Sequence, residues 1–386
     1  MNFDLSDEQV LLREAARDAF SRVRTVEAAR AALEEGELPD LWPTARQAGW
    51  TGLLVDEAHG GAGLSAIDAM LVMAEAGRVL ASVPLLGHLP ATAILDATTG
   101  AGSATPGPEG VDGETLRKLA SGEWRAAYVP ARPGDDLDPA WTTEPRSGRR
   151  RAPAPEVVRG DEGLATVNGT ASWVPDAVGA DVLVAVGVEA GQPVAVAFGP
   201  GAEGVRVEPA SGVYDATRPL GHVTFENACG HVLAAGEEEL RRAWFLAHAL
   251  IAAEALGAIE ECLERSVAYA KERYTFGRPI GSYQAVKHAL TEVLRRQENT
   301  RSLLYYAGWA YDDKPDELAA AASAARAAGG AALDFAAREL ISVHGGIGAT
   351  WEHDAPLFFR RAQLSRRLLG GTGDAVDRLA GELLAV

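Results

Sequence analysis

The chain has 386 residues, of which 47% are hydrophobic and 23% charged, so it can bury a large core and is not a disordered protein. Its formal net charge of −18 leaves no long basic stripe, which disfavours nucleic acid and anionic membrane surfaces as partners. Its two cysteines, Cys229 and Cys262, exclude a disulfide framework and make a poor case for a zinc site, so both are expected to be structural residues in a reducing cytosol.

The first residues predict a helical start in a cytoplasmic protein. The opening MNFDLSDEQ is polar and acidic, unlike a signal peptide, and the apolar runs further on are too short or too interrupted to cross a membrane. Ser6 followed by Gln9 resembles a capping box, and apolar residues from Leu12 to Phe20 recur with helical spacing. A helix is therefore expected to begin just after Ser6.

Further helical segments complete a predicted N-terminal domain over residues 1–115. Amphipathic patterns cover residues 41–48 and 66–80, and the glycines of residues 60–63 predict a backbone reversal between them. Residues 99–113 are rich in Gly, Pro, Ser and Thr, so they cannot bury enough apolar surface to order themselves and predict a mobile connection.

A change in the residue pattern then predicts a central β domain over residues 116–233. Short, mostly Val-rich runs bounded by turn residues are typical of strands. These runs are residues 126–129, 164–167, 181–188, 193–198, 205–207 and 222–225.

The last third, residues 234–386, predicts a C-terminal helical bundle. Apolar stripes with helical spacing run over residues 256–270 and 286–294, and residues 315–343 are dominated by alanine. Long helices joined by short turns pack best as a four-helix bundle, so the predicted fold class is α+β in the order α, β, α.

Motifs of several common enzyme classes do not occur in the sequence. It contains neither a Gly-x-Ser-x-Gly elbow nor His-Glu-x-x-His, and neither a Walker loop nor a Gly-x-Gly-x-x-Gly that links a strand to a helix. Cys229 has His231 nearby, but the Val-rich surroundings favour plain packing over a nucleophile and its base.

One segment with binding chemistry runs from Arg273 to Gln284, between two long helices. A guanidinium can neutralise pyrophosphate oxygens, Thr275 and Gln284 can hydrogen-bond, and Phe276 can cover an aromatic ring. The alternative for this segment is an ordinary turn between helices with a solvated Arg273.

A second segment, residues 344–353, follows the alanine-rich helix and begins with a run of glycines. Glycines without Cβ let a ligand touch the backbone, and exposed amides can meet phosphate or ribose oxygens. The alternative is a plain helix C-cap and turn.

Taken together, the two segments resemble the acyl-CoA dehydrogenase family. The pattern Arg-x-x-Phe-Gly-x-x-Ile-x-x-x-Gln begins at Arg273, and His-Gly-Gly-x-Gly-x-Thr begins at His344. The resemblance extends to the stretches LSDEQVLLREAARDAF, AGWTGLLVDEAHGGAGLS, LASGEWRAA and VNGTASWVPDAVGAD. It implies an α, β, α architecture and tetramers built as dimers of dimers.

The resemblance also implies FAD as a cofactor that lies between subunits. In the family, one chain holds the isoalloxazine with its β domain, while an Arg, a Phe and a glycine turn of a neighbour reach the adenosine and pyrophosphate end. The residues of this chain that match the neighbour's contribution, called the reaching set below, are Arg273, Thr275, Phe276, Gln284, Gly345, Gly346 and Gly348. Thr372, in the C-terminal Gly-Thr pair, is a further residue expected to contact the cofactor. The family's Gln near the glycine turn is Ser342 here, which weakens the match.

The glutamate base of the family is missing. In the family it removes the α-proton of the acyl-CoA while the β-hydrogen leaves as hydride, and it usually precedes a Gly-Thr pair, where this chain has Gly370. Some members carry the base on the helix before the Arg segment, where this chain has Ala247. Glu254 lies about two helical turns further on, roughly 10 Å away, and is the one remaining candidate base.

The flavin seat of the β domain also departs from the family. Residues 129–136 lack the usual Thr-Glu and Gly-Ser-Asp pattern, and Trp173 is followed by Pro175 where a hydroxyl is common. Proline offers neither a hydroxyl nor an amide hydrogen, and Asp374 places a negative charge where a neutral FAD contact is common.

These departures lead to the hypothesis of a heteromeric, α2β2 acyl-CoA dehydrogenase. A homologous subunit would supply the glutamate and the isoalloxazine pocket, the substrate would be an acyl-CoA such as a steroid side-chain thioester, and an electron-transfer flavoprotein or a similar acceptor would take the electrons. The alternatives are a homomeric flavoenzyme that uses another base or oxygen chemistry, and a purely structural subunit.

Overall fold

A computed structural model describes residues 4–32, 38–99, 113–130, 142–143, 151–211 and 214–384. The mobile connection predicted for residues 99–113 lies almost wholly outside the described residues, as do residues 131–136 of the flavin-seat segment.

The N-terminal part is helical, as predicted. Its helices are α1 (Asp7–Ser21), α2 (Thr25–Ala32), α3 (Trp42–Gln47), α4 (Ala66–Arg78), α5 (Leu85–Thr99) and α6 (Gly113–Ala120). The capping box that opens α1 is confirmed, since Ser6 Oγ accepts from the Gln9 amide and Gln9 Oε1 accepts from the Ser6 amide. The sequence pattern did not predict α5, because this helix is buried on nearly every side and so has no polar stripe. The domain boundary placed after residue 115 falls inside α6, and the division into domains stays a prediction.

The central region is a mostly antiparallel β domain. Its strands are β1 (Ala126–Val129), β2 (Thr142–Thr143), β3 (Arg151–Ala152), β4 (Glu156–Arg159), β5 (Leu164–Pro175), β6 (Val182–Glu189), β7 (Gln192–Phe198), β8 (Val205–Pro209) and β9 (Leu220–Val232). The main sheet has the order β1-β6-β4-β5-β9-β7 with β8 on β9, and a further pairing of β6 with β7 closes it on itself. The predicted runs 164–167 and 222–225 are parts of the long, paired strands β5 and β9.

The C-terminal part returns to helices. Its elements are α7 (Glu237–Glu272), β10 (Tyr274–Thr275), β11 (Arg278–Pro279), α8 (Gln284–Asp313), α9 (Pro315–His344), α10 (Ala355–Ser365) and α11 (Gly371–Leu384). Helices α7, α8 and α9 pack along one another, and α10 and α11 pack against α9. Helix α10 was not predicted from the sequence.

Helix α7 is the central helix of the molecule, with contacts to α4, α5, α8 and α9. It is long and apolar enough to span a membrane by composition, but 94% of its most apolar window is buried inside the protein. Its apolar character therefore matches its place in the core.

The two cysteines differ in their surroundings. Cys262 is buried in α7, and burial raises the pKa of its thiol, as expected of a structural residue. Cys229 is exposed on β9. The expectation that Cys229 serves core packing is wrong, because the strand ladder turns its side chain outward.

Candidate functional site

The first candidate segment forms a tight hairpin at the end of α7. Strands β10 and β11 pair through Thr275 and Arg278, and the two residues between them, Phe276 and Gly277, have φ of +52° and +79°. Positive φ at both central positions suits a two-residue hairpin, but it is strained for a bulky residue such as Phe. The Phe276 side chain is 93% exposed. A strained and exposed aromatic residue is costly in the isolated chain, which favours a ligand or partner contact.

The hairpin is held firmly although its tip projects into solvent. The Ile280 amide donates to the Arg273 carbonyl at 2.8 Å, and the Tyr283 hydroxyl donates to the Thr275 carbonyl at 2.9 Å. The Arg278 guanidinium lies 4.0 Å from the centroid of the Tyr283 ring. These contacts therefore fix the backbone of the hairpin that carries Arg273 and Phe276.

Within the described part of the chain, Arg273 forms no ion pair, and its side chain is exposed. Gln284 is also exposed, at the first position of α8. An unpaired guanidinium beside an exposed ring provides a charge and a stacking surface for an anionic, aromatic ligand.

The second candidate segment is the turn after α9. Gly345 has φ +65° and ψ −138°, a conformation open only to glycine, and it ends the helix through hydrogen bonds from its amide to the Ile341 and Ser342 carbonyls. A Cβ at Gly345 or Gly346 would meet no described atom within 4 Å, so open space lies in front of this backbone. The turn can therefore admit a ligand to its main chain.

Gly348, by contrast, is buried. A Cβ there would lie 2.7 Å from the Ile341 carbonyl oxygen. The contribution of Gly348 is to let the turn fold back closely on α9 rather than to offer open backbone.

The structure brings the two segments together. Tyr269, one helical turn before Arg273, stacks on His344, which directly precedes Gly345, with ring centroids 4.2 Å apart. His344 in turn packs against His353 at 4.2 Å. The sequence analysis missed Tyr269 and His353. The four-residue spacing between Tyr269 and Arg273 could have shown that these two residues share one helical face.

Thr372 lies at a different place, in the first turn of α11. Its Cγ2 lies 2.2 Å from the position that a Cβ at Gly330 would occupy, so α11 and α9 pack closely here. Its role as a cofactor contact stays a prediction.

Of the two expected base positions, one is buried and the other is half-buried in a turn. Ala247 is fully buried in α7, and Gly370 lies in the turn before α11 with φ +80°. Donors from the surrounding helices hold this turn: His248 Nε2 lies 3.0 Å from the Leu369 carbonyl oxygen, and Arg326 Nη2 donates to the carbonyls of Ser365 and Leu368. The turn is therefore fixed in a left-handed conformation that favours glycine.

Glu254, the remaining candidate base, is part of a buried ion network. Arg218 Nη2 donates to both of its carboxylate oxygens, and Arg361 Nη1 lies 3.8 Å from Oε1. Arg361 also donates from Nε to Asp215 at 2.6 Å. Because Arg218 occupies both of its carboxylate oxygens, Glu254 has no free oxygen to accept a substrate proton in this arrangement.

Two residues of the expected flavin pocket, Trp173 and Pro175, lie on β5 where it pairs with β9. Trp173 has φ +61°, and Pro175 pairs with Leu220. Nearby, burial raises the pKa of Asp176 to about 6, while its Oδ2 accepts from the Gly87 amide at 2.7 Å.

Comparisons with known proteins identify the family of this chain. Family models of the acyl-CoA dehydrogenase N-terminal and C-terminal domains match residues 6–123 and 246–381. Acyl-CoA dehydrogenase IpdE2 of Mycobacterium tuberculosis is 31% identical over 384 residues, covering 98% of both chains. A variant of the Tcur3481-Tcur3483 steroid ACAD has a similar structure, with a TM-score of 0.83, 26% identity and 98% coverage of both chains. The ChsE4-ChsE5 complex from Mycobacterium tuberculosis shares the fold at 22% identity, with a TM-score of 0.83 over 100% of both chains. The chain therefore belongs to the acyl-CoA dehydrogenase family, whose cofactor is FAD.

Proposed function

We propose that this chain is the non-catalytic subunit of a heteromeric acyl-CoA dehydrogenase. It lends the Arg273 hairpin and the glycine turn at Gly345 to an FAD that a homologous partner subunit holds. The observation that carries this proposal is the strained, 93% exposed Phe276 beside Arg273, which forms no ion pair among the described residues, on a chain whose two base positions carry no carboxylate.

The residues of the reaching set fit the outer half of FAD. The Arg273 guanidinium can pair with pyrophosphate oxygens, and the Phe276 ring can cover an aromatic face. The open backbone at Gly345 and Gly346 can approach phosphate or ribose oxygens. Since the chain has a net charge of −18, a local cation is needed to attract a pyrophosphate.

The same chain does not fit the reacting half of the site. FAD supplies hydride acceptance in this family, and the α-proton needs a carboxylate close to the substrate. Gly370 and Ala247 cannot accept a proton, and both oxygens of Glu254 are engaged by Arg218. Loss of a general base typically costs about 10² to 10⁴ in rate, so flux through this chain's own site should be negligible.

A partner subunit supplies what is missing. The Tcur3481-Tcur3483 steroid ACAD and the ChsE4-ChsE5 complex each pair two differently named proteins, which supports a heteromeric α2β2 assembly for this chain. By comparison with the steroid ACAD, the substrate is the CoA thioester of a steroid side chain. As the family resemblance implies, an electron-transfer flavoprotein or a similar acceptor takes the electrons.

An Arg273→Ala variant in the assembled complex tests the proposal. Loss of a charged contact to pyrophosphate should weaken FAD binding about 10-fold or more, while the subunits stay assembled. Arg295→Ala is a matched control, since Arg295 is an exposed arginine on α8 that pairs with Glu292. FAD affinity measured by fluorescence titration reports both.

The rival functions give different results in this experiment. Unchanged FAD affinity in the Arg273→Ala complex would favour a purely structural subunit. A yellow and active homotetramer formed by the chain alone would favour a homomeric flavoenzyme with another base or with oxygen chemistry.

A further inference from the structure

One face of α7 connects the hairpin to the glycine turn. Arg265, Tyr269 and Arg273 follow one another at four-residue spacing, so they form a single stripe along the helix. Arg265 Nη1 donates to Asp354 at 2.7 Å, and Tyr269 stacks on His344 with an interplanar angle of 29°. Along α7, the stripe therefore contacts Asp354 at the end of the glycine turn and His344 at its start. It ends at the exposed guanidinium of Arg273.

The turn itself is bracketed by two histidines. His344 ends α9 and holds its Nδ1 2.8 Å from the Leu340 carbonyl oxygen. His353 precedes α10, and its Nδ1 accepts from the Ala355 amide at 3.0 Å. The two rings pack with centroids 4.2 Å apart, so the backbone from Gly345 onward is a loop closed by an aromatic contact.

We propose that Tyr269, His344 and His353 are positioning residues for the shared FAD site: their packed rings hold the Arg273 hairpin and the glycine turn at a fixed distance from each other. This inference rests on the proposed function. The reason is geometric, since a hairpin on α7 and a turn after α9 can contact the same dinucleotide only if the two helix ends keep a fixed separation. Beside the packing of α7 along α9, the ring pair of Tyr269 and His344 is a direct contact at those ends.

The stack also has an expected dependence on pH. Burial and the neighbouring His344 lower the pKa of His353, with Arg265 and Arg30 acting in the same direction and Asp354 opposing them. A proton on Nδ1 of His353 would displace the hydrogen bond from the Ala355 amide. Because the pKa of His353 is lowered, the neutral ring that accepts this bond is kept at neutral pH, and the stack weakens only as the pH falls through that lowered pKa.

The test compares ring-removing and ring-keeping variants in the FAD-bound complex with the partner subunit. Tyr269→Leu should weaken FAD binding roughly 3- to 10-fold, the change expected from loss of one aromatic pair. Tyr269→Phe, which keeps the ring, should rescue that loss. Tyr306→Leu is the matched control, because Tyr306 stacks on Trp309 about 33 Å along α8 from Gln284. It should lower the melting temperature by a similar amount and leave FAD affinity unchanged.

A double-mutant cycle and a pH profile separate positioning from plain stability. Tyr269→Leu combined with His344→Leu should weaken FAD binding no further than one of the single changes. His353→Asn keeps an acceptor for the Ala355 amide but does not titrate, so it should flatten the decline in FAD affinity between pH 7 and 5. Additive single effects, or a pH profile identical to that of the unmodified complex, would overturn the inference.

This outcome is distinguishable from failure of the proposed function. If Arg273→Ala weakens FAD binding but Tyr269→Leu does not, the shared site stands and the positioning role is wrong. If neither change affects FAD, both are wrong.

Discussion

Arg218 donates to both carboxylate oxygens of Glu254, in a buried position where the β domain meets the middle of α7. This pair, extended by Arg361 and Asp215, joins α7, α10 and the loop before β9. An acid that looked from the sequence like a possible base is thereby a structural element between domains.

We therefore expect Glu254→Gln to affect stability rather than chemistry. Removing one partner of a buried pair leaves uncompensated arginines and should cost about 3–5 kcal/mol in the free energy of unfolding. Turnover per folded complex should stay unchanged. The exposed pair of Glu298 with Arg301 gives the control, because Glu298→Gln should cost less than about 1 kcal/mol. Urea unfolding measures the first quantity, and a loss of turnover without a loss of stability would restore Glu254 as a candidate base.

Asp176 predicts a pH dependence of stability. Its pKa is raised from 3.8 to about 6 by burial, against the opposing charge of Arg218. The folded chain therefore keeps a proton on Asp176 between these pH values after the unfolded chain has lost it, so the free energy of unfolding falls as the pH rises from about 4 to 6. Asp176→Asn should remove this cost of about 3 kcal/mol at pH 7, and should have little effect on stability at pH 4.

Asparagine suits this position, because Asp176 has φ +61° and asparagine can still accept from the Gly87 amide. Urea unfolding of both proteins at pH 4, 5, 6 and 7 measures the difference. A stability gain that is equal at all four values would contradict the titration of Asp176.

Gly370→Glu should not convert the lone chain into a dehydrogenase. The residue has φ +80°, and the surrounding turn is held by His248 and Arg326, so a glutamate there is strained by about 1 kcal/mol or more. On the proposed function, the flavin pocket would also lack a hydroxyl at Pro175. Acyl-CoA turnover with added FAD measures the result, and efficient turnover by this variant alone would show that the seat is intact.

Replacing Phe276 should relieve its backbone strain and weaken FAD binding at the same time. Phe276→Asn should stabilise the isolated chain by about 1 kcal/mol, because asparagine tolerates positive φ and the exposed ring contributes no packing. In the complex, the same change should weaken FAD binding about 10-fold or more, because a buried ring contact is lost. A variant that is neither more stable alone nor weaker in FAD binding would contradict a ligand-facing role for Phe276.

The local patterns of the sequence predict much of this fold. The capping box at Ser6 and the stripes of α7, α8 and α9 are periodic signals that the structure keeps. Helix α5 lacks such a signal because it is buried on nearly every side, and the full lengths of β5 and β9 depend on their mutual pairing. The outward side chain of Cys229 likewise depends on the strand ladder.

In the candidate site, too, contacts between distant segments could not be predicted from the sequence. The residue types of Arg273, Phe276 and Gly345 predict a binding chemistry, but the contact between their two segments includes the stacked rings of Tyr269 and His344, which come from different helices. The engagement of Glu254 by Arg218 is also a contact between distant segments. Such pairings follow from tertiary packing, which a single sequence does not display.

The most direct test of the central claim is the number of flavins per chain, measured by absorbance and protein mass with and without the homologous subunit. If the partner subunit holds the flavin, this chain alone should be colourless, and the assembled complex should contain one FAD for every two chains. One FAD per chain in this protein by itself, with acyl-CoA turnover, would contradict that claim.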